Sequence, residues 1–244
     1  MKNLLFLSFL LLCFGNCNSK KKTKPTLTKK QVVPFDWNDY NIILSLSKKP
    51  YTKILSEIAQ QKKNAKTDSI SFIFENALVN QIIPYWYGTP WDFNGHTNIP
   101  NKGKIACGYF VSTTLKHLGL NLNRYKLAQQ LPIHEAKSLS LGKEVLEING
   151  ENFEKSFEKI KTTLKNGIYF IGLDGSHVGF ILKRKKEIFF IHSNYGTPQE
   201  VVIERAKESE VLKSFTHFYI SELSTNTKLM KHWKTNTNIP VITN

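Results

Sequence analysis

The sequence predicts an α+β domain in which helices come first and an antiparallel sheet follows. Apolar residues recur at helical spacing up to residue 165, whereas from residue 168 short β-branched and aromatic runs alternate with turn residues. This order differs from the regular alternation of strand and helix that is typical of parallel α/β folds. Between two polar ends lie about 190 residues, enough for one domain with a full hydrophobic core.

Four segments have the spacing of amphipathic helices. They are residues 54–60, 70–83, 107–118 and 152–165. The second is expected to end at Pro84, the third at Gly119, and the fourth at Asn166-Gly167, all residue types that stop helices. A loop rich in aromatic residues is predicted between the second and third helices.

Five short segments are predicted as strands. They are residues 168–173, 177–182, 187–192, 200–203 and 217–220. Their β-branched and aromatic composition, with turn residues between them, indicates hairpin connections and therefore antiparallel pairing.

The two ends of the chain carry a different pattern from the domain. Residues 1–16, with a charged start and a short apolar run, are typical of a signal peptide. Cys17 follows in a loose form of the bacterial lipobox, which favours lipidation there, although an ordinary leader cut nearby is the alternative.

The lysine-rich residues 17–35 predict an unfolded tether. We expect the catalytic domain over residues 36–223 and a loosely packed polar tail over 224–244.

The formal net charge of +15 favours anionic partners by long-range attraction. Membrane head groups and acidic wall polymers suit an exported protein, whereas the sequence has no recognised nucleic-acid-binding motif. The expected partners are therefore a wall peptide and the membrane, the latter through the lipid anchor, and no nucleic acid.

Cys107 is the candidate nucleophile. Once a leader is removed and Cys17 acylated, Cys107 is the only cysteine left inside the exported domain. It stands at the start of a predicted helix, where unpaired backbone amides and the helix dipole favour a thiolate. The same amides, at Cys107 and Gly108, would stabilise an oxyanion. The alternative is a small buried hydrophobic residue, the usual role of a free cysteine.

His177 and His192 are the candidate base and its orienting partner. A symmetric hairpin centred between Arg184 and Lys185 would pair them directly, with Cβ atoms about 4.5–5.5 Å apart. His177 would then take the thiol proton, and His192 would hold its tautomer. Two alternatives are a polar pair at a sheet edge and a zinc site with Cys107. Because the close ligand spacing of structural zinc motifs is missing, no metal or other cofactor is expected.

Three blocks of sequence occur in a recognisable order. Residues 88–95 read GTPWDFNG, residues 106–111 read ACGYFV, and residues 177–182 read HVGFIL, with His192 at the end of the next strand. This order resembles the NlpC/P60 family of papain-like cysteine peptidases, many of them bacterial wall hydrolases with a signal peptide or lipid anchor. The resemblance implies a papain-like fold with Cys107, His177 and His192 as the catalytic residues.

The chain departs from that family in several places. Ala106 and Gly108 stand where the family has Asp and Ser. The family's tyrosine near the oxyanion falls on Trp91 or, in a shifted register, on Tyr85. The gaps before and after Cys107 are longer than usual, which predicts extra helices or loops around the cleft.

The resemblance implies a cysteine hydrolase of the cell envelope, anchored by lipid at Cys17. It would cleave an amide bond in peptidoglycan stem peptides through an acyl-enzyme intermediate. Two other functions stay open. The same triad can serve an amidase or acyltransferase acting on another amide or ester, such as a lipid, or the domain can be a non-catalytic module that binds wall peptides or a protein.

Overall fold

Most of the helices precede a six-stranded antiparallel sheet in the computed structural model, which describes residues 49–243. The predicted α+β class is therefore confirmed. The predicted signal peptide, the acylated Cys17 and the tether lie outside the described residues. Within residues 49–243, no helix combines the length and the apolar character that crossing a bilayer requires.

The four predicted helices are all present, and the described residues contain further helices that the sequence analysis missed. The helices are α1 (Tyr51–Asn64), α2 (Ile70–Asn76), α3 (Ile83–Trp86), α4 (Cys107–His117), α5 (Arg124–Ala128), α6 (Pro132–Ser140), α7 (Phe153–Thr163), α8 (Glu210–Lys213) and α9 (Thr227–Thr235). The predicted helix over 70–83 comprises α2, a π-helical stretch over Ala77–Ile82, and the start of α3. It continues past Pro84 because proline occupies the first turn of α3, where its missing N–H is not needed.

The five predicted strands are also present, together with one short strand that the sequence analysis missed. The strands are β1 (Leu146–Asn149), β2 (Gly167–Leu173), β3 (His177–Arg184), β4 (Glu187–Ser193), β5 (Val201–Arg205) and β6 (His217–Glu222). Their order across the sheet is β1-β6-β2-β3-β4-β5, and every neighbouring pair is antiparallel. Residues of β2 and β3 are buried along nearly their whole length, so both faces of the sheet are covered.

Different helices cover the two faces of the sheet. Ile181 of β3 belongs to a buried cluster with Phe157 and Ile160 of α7. Because side chains alternate along a strand, Phe180 points the other way, and its ring meets that of Phe110 in α4 at a centroid distance of 5.9 Å. The sheet is thus the middle layer, and α4 carries Cys107 to one end of it.

The β3–β4 hairpin has a different register from the one predicted. The turn consists of Lys185 and Lys186, with Arg184 paired to Glu187, so its centre lies one residue later than expected. The predicted direct pairing of the two histidines is therefore wrong. A shift of the centre by one residue moves the pairing by two, which leaves the side chains on the same face.

Continued by one pair beyond Phe180 and Ile191, the corrected register places Gly179 opposite His192, and His177 follows two residues away on the same face of β3. A Cβ atom on Gly179 would lie 3.0 Å from the His192 Cβ and 2.7 Å from the Phe190 ring. Only glycine leaves this space open, and the two histidine rings meet diagonally across it. The contact between them thus survives the change of register.

The prediction of a loosely packed tail over 224–244 is wrong for α9. Leu229, Met230 and Trp233 lie on its buried face. The Trp233 indole N–H donates to the Leu118 carbonyl at 2.8 Å, and its ring packs edge-on against Phe74. The many lysines and threonines of the segment obscured this apolar stripe, so α9 belongs to the domain.

Trp233→Ala should destabilise the protein by about 3–5 kcal/mol, because it removes a fully buried ring and its hydrogen bond. Urea unfolding would measure the loss, with the exposed Lys231→Ala on the same helix as control, expected to stay within about 0.5 kcal/mol of the wild type. Equal, small effects of both substitutions would show that α9 is not part of the folding unit.

Candidate active site

A cavity of about 660 Å³ opens where the N-terminus of α4 meets the start of β3. Cys107 and His177 both line it, as do Trp91, Tyr195 and Glu135. The insertion between α4 and β3 also contributes, since residues of α5 and α6 form part of the wall. Helices α5 and α6 thus lie at the cavity, in the long interval between Cys107 and His177 where the sequence predicts helices or loops.

Backbone hydrogen bonds hold the segment before α4 in place. The Ile105 N–H donates to the Pro90 carbonyl at 2.9 Å, and the Ala106 N–H donates to the Gly95 carbonyl at 2.8 Å. From the end of β4, the Ser193 hydroxyl donates to the Ile105 carbonyl at 2.7 Å. The start of α4, and with it the thiol, is therefore positioned directly relative to the sheet.

Gly108 allows α5 to pack against the nucleophile turn. A Cβ atom at this position would lie 2.6 Å from the carbonyl oxygen of Ala128, the last residue of α5. The serine that the NlpC/P60 pattern has here would clash with that backbone. Any side chain at position 108 would therefore force α5 away from the start of α4.

The thiol of Cys107 is neutral at rest. Burial raises its pKa to about 11, while the N–H groups of Val178 and Gly108 act in the opposite direction. Among the described residues no hydrogen bond joins the Cys107 thiol to His177. The thiol interacts instead with the backbone N–H of Val178, the residue that follows His177. Transfer of the thiol proton to His177 would require a hydrogen bond between the two groups to form, which a bound ligand can bring about.

A line of hydrogen bonds runs from His177 through His192 to Glu204. His177 Nε2 and His192 Nδ1 are 2.9 Å apart, and His192 Nε2 lies 3.0 Å from Glu204 Oε1. The two histidines are fully buried, whereas Glu204 on β5 is partly exposed. The structure thus brings the predicted base and orienting residue together and adds a carboxylate behind them.

The carboxylate determines where the protons lie along this line. An ionised Glu204 can only accept, so His192 Nε2 must carry a proton. In neutral His192 the Nδ1 atom is then an acceptor, and the proton between the two rings belongs to His177 Nε2. This leaves the lone pair of His177 on Nδ1, the nitrogen that is free to accept the thiol proton.

Burial keeps both rings neutral. It lowers the pKa of His177 well below the usual value, and a charge on His192 would lower it further. Burial also lowers the pKa of His192, with Glu204 opposing the shift. For Glu204 itself burial raises the pKa, but hydrogen bonds from His192 and Ser209 outweigh this and the net shift is downward.

Aromatic rings enclose the histidine pair. The Phe190 ring stacks on His192 with centroids 4.0 Å apart, and Tyr195 meets His177 edge-on at 5.1 Å. Trp91 lies next, 6.2 Å from Tyr195. The burial of the two histidines strengthens the hydrogen bonds of the line, because the local dielectric constant is low.

The two candidates for the family's tyrosine position lie in different places. Trp91 lines the cavity. Tyr85 is not among its lining residues; the hydroxyl donates to the Lys49 carbonyl at 2.8 Å, and the ring packs against Tyr51. Of the two, Trp91 alone is positioned to contact a ligand in the cavity.

Sequence reasoning missed two carboxyl groups of the site. Glu204 follows the predicted strand 200–203, and its pairing opposite Phe190 places it on the histidine face. The signal that could have identified Glu204 is a charged side chain on the inward face of β5. It can be recognised only after β5 has been paired with β4. Glu135 lies on α6, a helix that the sequence analysis did not predict, so nothing in the sequence indicated its burial beside Cys107.

Between residues 49 and 243, no group of three or more His, Cys, Asp and Glu side chains is arranged to hold a metal ion. Comparison with models of known families gives no match to this chain, and a search of curated proteins likewise finds none. The NlpC/P60 resemblance therefore rests on the motifs of the chain itself.

The protein should lose stability as the pH falls from about 7 to about 5. Histidine in the unfolded chain binds a proton near pH 6.5, whereas buried His177 has a pKa well below that value. Below pH 6.5 the unfolded state therefore binds more protons than the folded state, and the free energy of unfolding decreases as the pH falls. Urea unfolding across this range should therefore show a slope that His177→Phe reduces by up to about 1.4 kcal/mol per pH unit. Identical slopes in the two proteins would contradict the neutral, buried state of His177.

Proposed function

We propose that this protein is a cysteine hydrolase of the cell envelope that cleaves an amide bond in peptidoglycan stem peptides. The observation that carries the proposal is the buried line Glu204–His192–His177, which ends at the cavity that Cys107 lines. A polar pair at a sheet edge needs neither full burial nor a carboxylate behind it. Burying two imidazoles costs free energy unless their nitrogens form hydrogen bonds. Buried histidines held in this way are typical of a general base and the residue that orients it.

In the first step the sulfur of Cys107 attacks the carbonyl carbon of the substrate. The thiol proton passes to Nδ1 of His177, and the carbonyl π electrons move onto its oxygen. His192 and Glu204 stabilise the imidazolium that forms. The backbone N–H groups at the start of α4 are available to the oxyanion, because the first turn of a helix leaves them unpaired.

In the second step the C–N bond breaks and His177 returns its proton to the leaving amine. The acyl group remains on Cys107 as a thioester. Water then attacks the thioester with His177 again as base, and the carboxylic acid product leaves with the thiol restored.

The substrate and the location rest on the sequence. The motif order resembles NlpC/P60 peptidases, and a mixed fold with helices before an antiparallel sheet is consistent with their papain-like architecture. The predicted leader, the predicted lipidation site at Cys17 and the basic tether support a location at the membrane, next to the wall. The net charge of +15 would favour approach to acidic wall polymers.

One observation favours a second candidate, an acyltransferase or amidase acting on an apolar substrate such as a lipid. Phe93 lines the cavity with 78 % of its surface exposed, and Tyr195 lines it with 39 % exposed. Exposed aromatic rings at a cleft suit an apolar ligand. The chemistry at Cys107 would be the same for both substrates.

Cys107→Ala should reduce turnover at least about a thousandfold, because it removes the atom that forms the acyl-enzyme. Mass spectrometry of products from purified muropeptides and, separately, from phospholipids would identify the substrate. Circular dichroism would check that the variant is folded. Full activity of this variant on the substrate that the wild type cleaves would refute the mechanism.

Glu204→Gln should lower kcat by about 10- to 100-fold with little change in KM, because an amide cannot stabilise the imidazolium through His192. Glu208→Gln, an exposed residue just beyond β5, is the matched control and should keep wild-type kcat. Equal activity of the two variants would show that the carboxylate has no part in catalysis.

A further inference from the structure

Glu135 is a buried carboxyl group with one unpaired oxygen, and it lines the same cavity as the Cys107 thiol. It is 2 % exposed, yet it lines the cavity, and its Oε2 atom has no hydrogen-bond partner among the described residues. If it were ionised, its charge would be close enough to Cys107 to raise the pKa of the thiol. Buried polar atoms are nearly always paired, so an unpaired one at a cavity wall suggests that a ligand supplies the partner.

The position of Glu135 is rigidly determined by the packing of α6. The ring of Pro132 approaches β2 so closely that a Cβ atom on Gly172 would lie 2.6 Å from it. On the neighbouring strand, the Ser221 hydroxyl donates to the Ala136 carbonyl at 2.7 Å. Glu135 lies between these two anchors, so α6 cannot easily move the carboxyl group away from the cavity.

Few of the described side chains in the cavity wall carry a charge at neutral pH. Among the described residues that line it there is no Lys, Arg or Asp, and Glu135 is the only carboxyl group. This contrasts with the net charge of +15 of the whole chain. A substrate carboxylate would find no cationic partner in the cavity wall, and a carboxyl group would face it.

The protonation state of Glu135 determines which ligand it fits. Burial raises the pKa of this carboxyl group well above its usual value, which favours the neutral acid. A neutral carboxylic acid has one O–H donor and one carbonyl acceptor side by side. An amide presents the complementary pair, an N–H donor and a C=O acceptor, and satisfies both at once.

We propose that Glu135 forms a subsite beside Cys107 that binds an uncharged amide of the substrate and rejects a carboxylate at the same place. The inference rests on the proposed hydrolase function and narrows its substrate class. A stem peptide with a carboxamide at this position would be accepted, and the same peptide with a free acid would be disfavoured.

Iodoacetamide and iodoacetate are a matched pair of probes for this subsite. Each alkylates a thiol in the same way: the sulfur of Cys107 forms a bond to the methylene carbon, iodide leaves with the electrons of the C–I bond, and the thiol proton goes to His177 or to solvent. The two reagents differ only in the amide or carboxylate next to the reacting carbon. The probes therefore report recognition next to the sulfur without any knowledge of the natural substrate.

The rate ratio of iodoacetamide to iodoacetate at Cys107 should exceed that of the urea-unfolded chain by about tenfold or more. The ratio is measured on the peptide that contains Cys107, by mass spectrometry. Glu135→Leu should bring the ratio close to that of the unfolded chain, whereas Glu135→Gln, which keeps a donor and an acceptor, should retain fast reaction with iodoacetamide. The exposed Glu208→Leu is the control and should preserve the wild-type ratio.

If the rate ratio of iodoacetamide to iodoacetate in the wild type were no higher than in the unfolded chain, the proposed subsite would be wrong. This comparison uses the wild-type protein alone, so it does not depend on the folding of a variant. An unchanged ratio in folded Glu135→Leu would overturn the role of Glu135. Alkylation does not depend on turnover, so these outcomes are distinct from failure of the proposed hydrolase, which the product analysis with Cys107→Ala decides.

Discussion

The need to satisfy two fully buried imidazoles is the constraint on which this site depends. His177 and His192 have little access to water, so the three ring nitrogens along the line need partners inside the protein. Glu204 supplies the acceptor at the end of the line and thereby assigns every proton along it. Removing that carboxylate would leave a buried donor unpaired, which costs more than the hydrogen bond itself contributes. The orientation of the base thus follows from satisfying buried polar groups.

Glycines make this arrangement sterically possible at two points. Gly179 leaves space in β3 for the two histidine rings to meet diagonally, and Gly108 lets α5 pack against the turn that carries Cys107. Both are close approaches of backbone or rings at which any larger residue would clash. The cavity is consequently enclosed by rigid elements. Its wall carries one carboxyl group and several aromatic rings, in a chain that is otherwise strongly basic.

The sequence predicted the helices and strands whose hydrophobic period is clear, and it predicted Cys107, His177 and His192 as the residues of one site. The shared cavity and the ring contact place them together, but the predicted register was wrong, since the turn is Lys185-Lys186 and a run of four cationic residues does not show where a hairpin turns. Glu204 could not be identified until β5 was paired with β4, because its role comes from the neighbouring strand. Glu135 and α9 were missed for a related reason: their burial depends on tertiary packing that local polarity does not report.

Nitrogen-15 NMR of histidine-labelled protein at neutral pH tests the central claim most directly, because it distinguishes protonated from unprotonated ring nitrogens. The hydrogen-bond line requires neutral His177 with its proton on Nε2 and a lone pair on Nδ1, and His192 with its proton also on Nε2. A proton on Nδ1 of His177 would contradict this account, since the nitrogen assigned to the thiol would then have no lone pair to accept its proton.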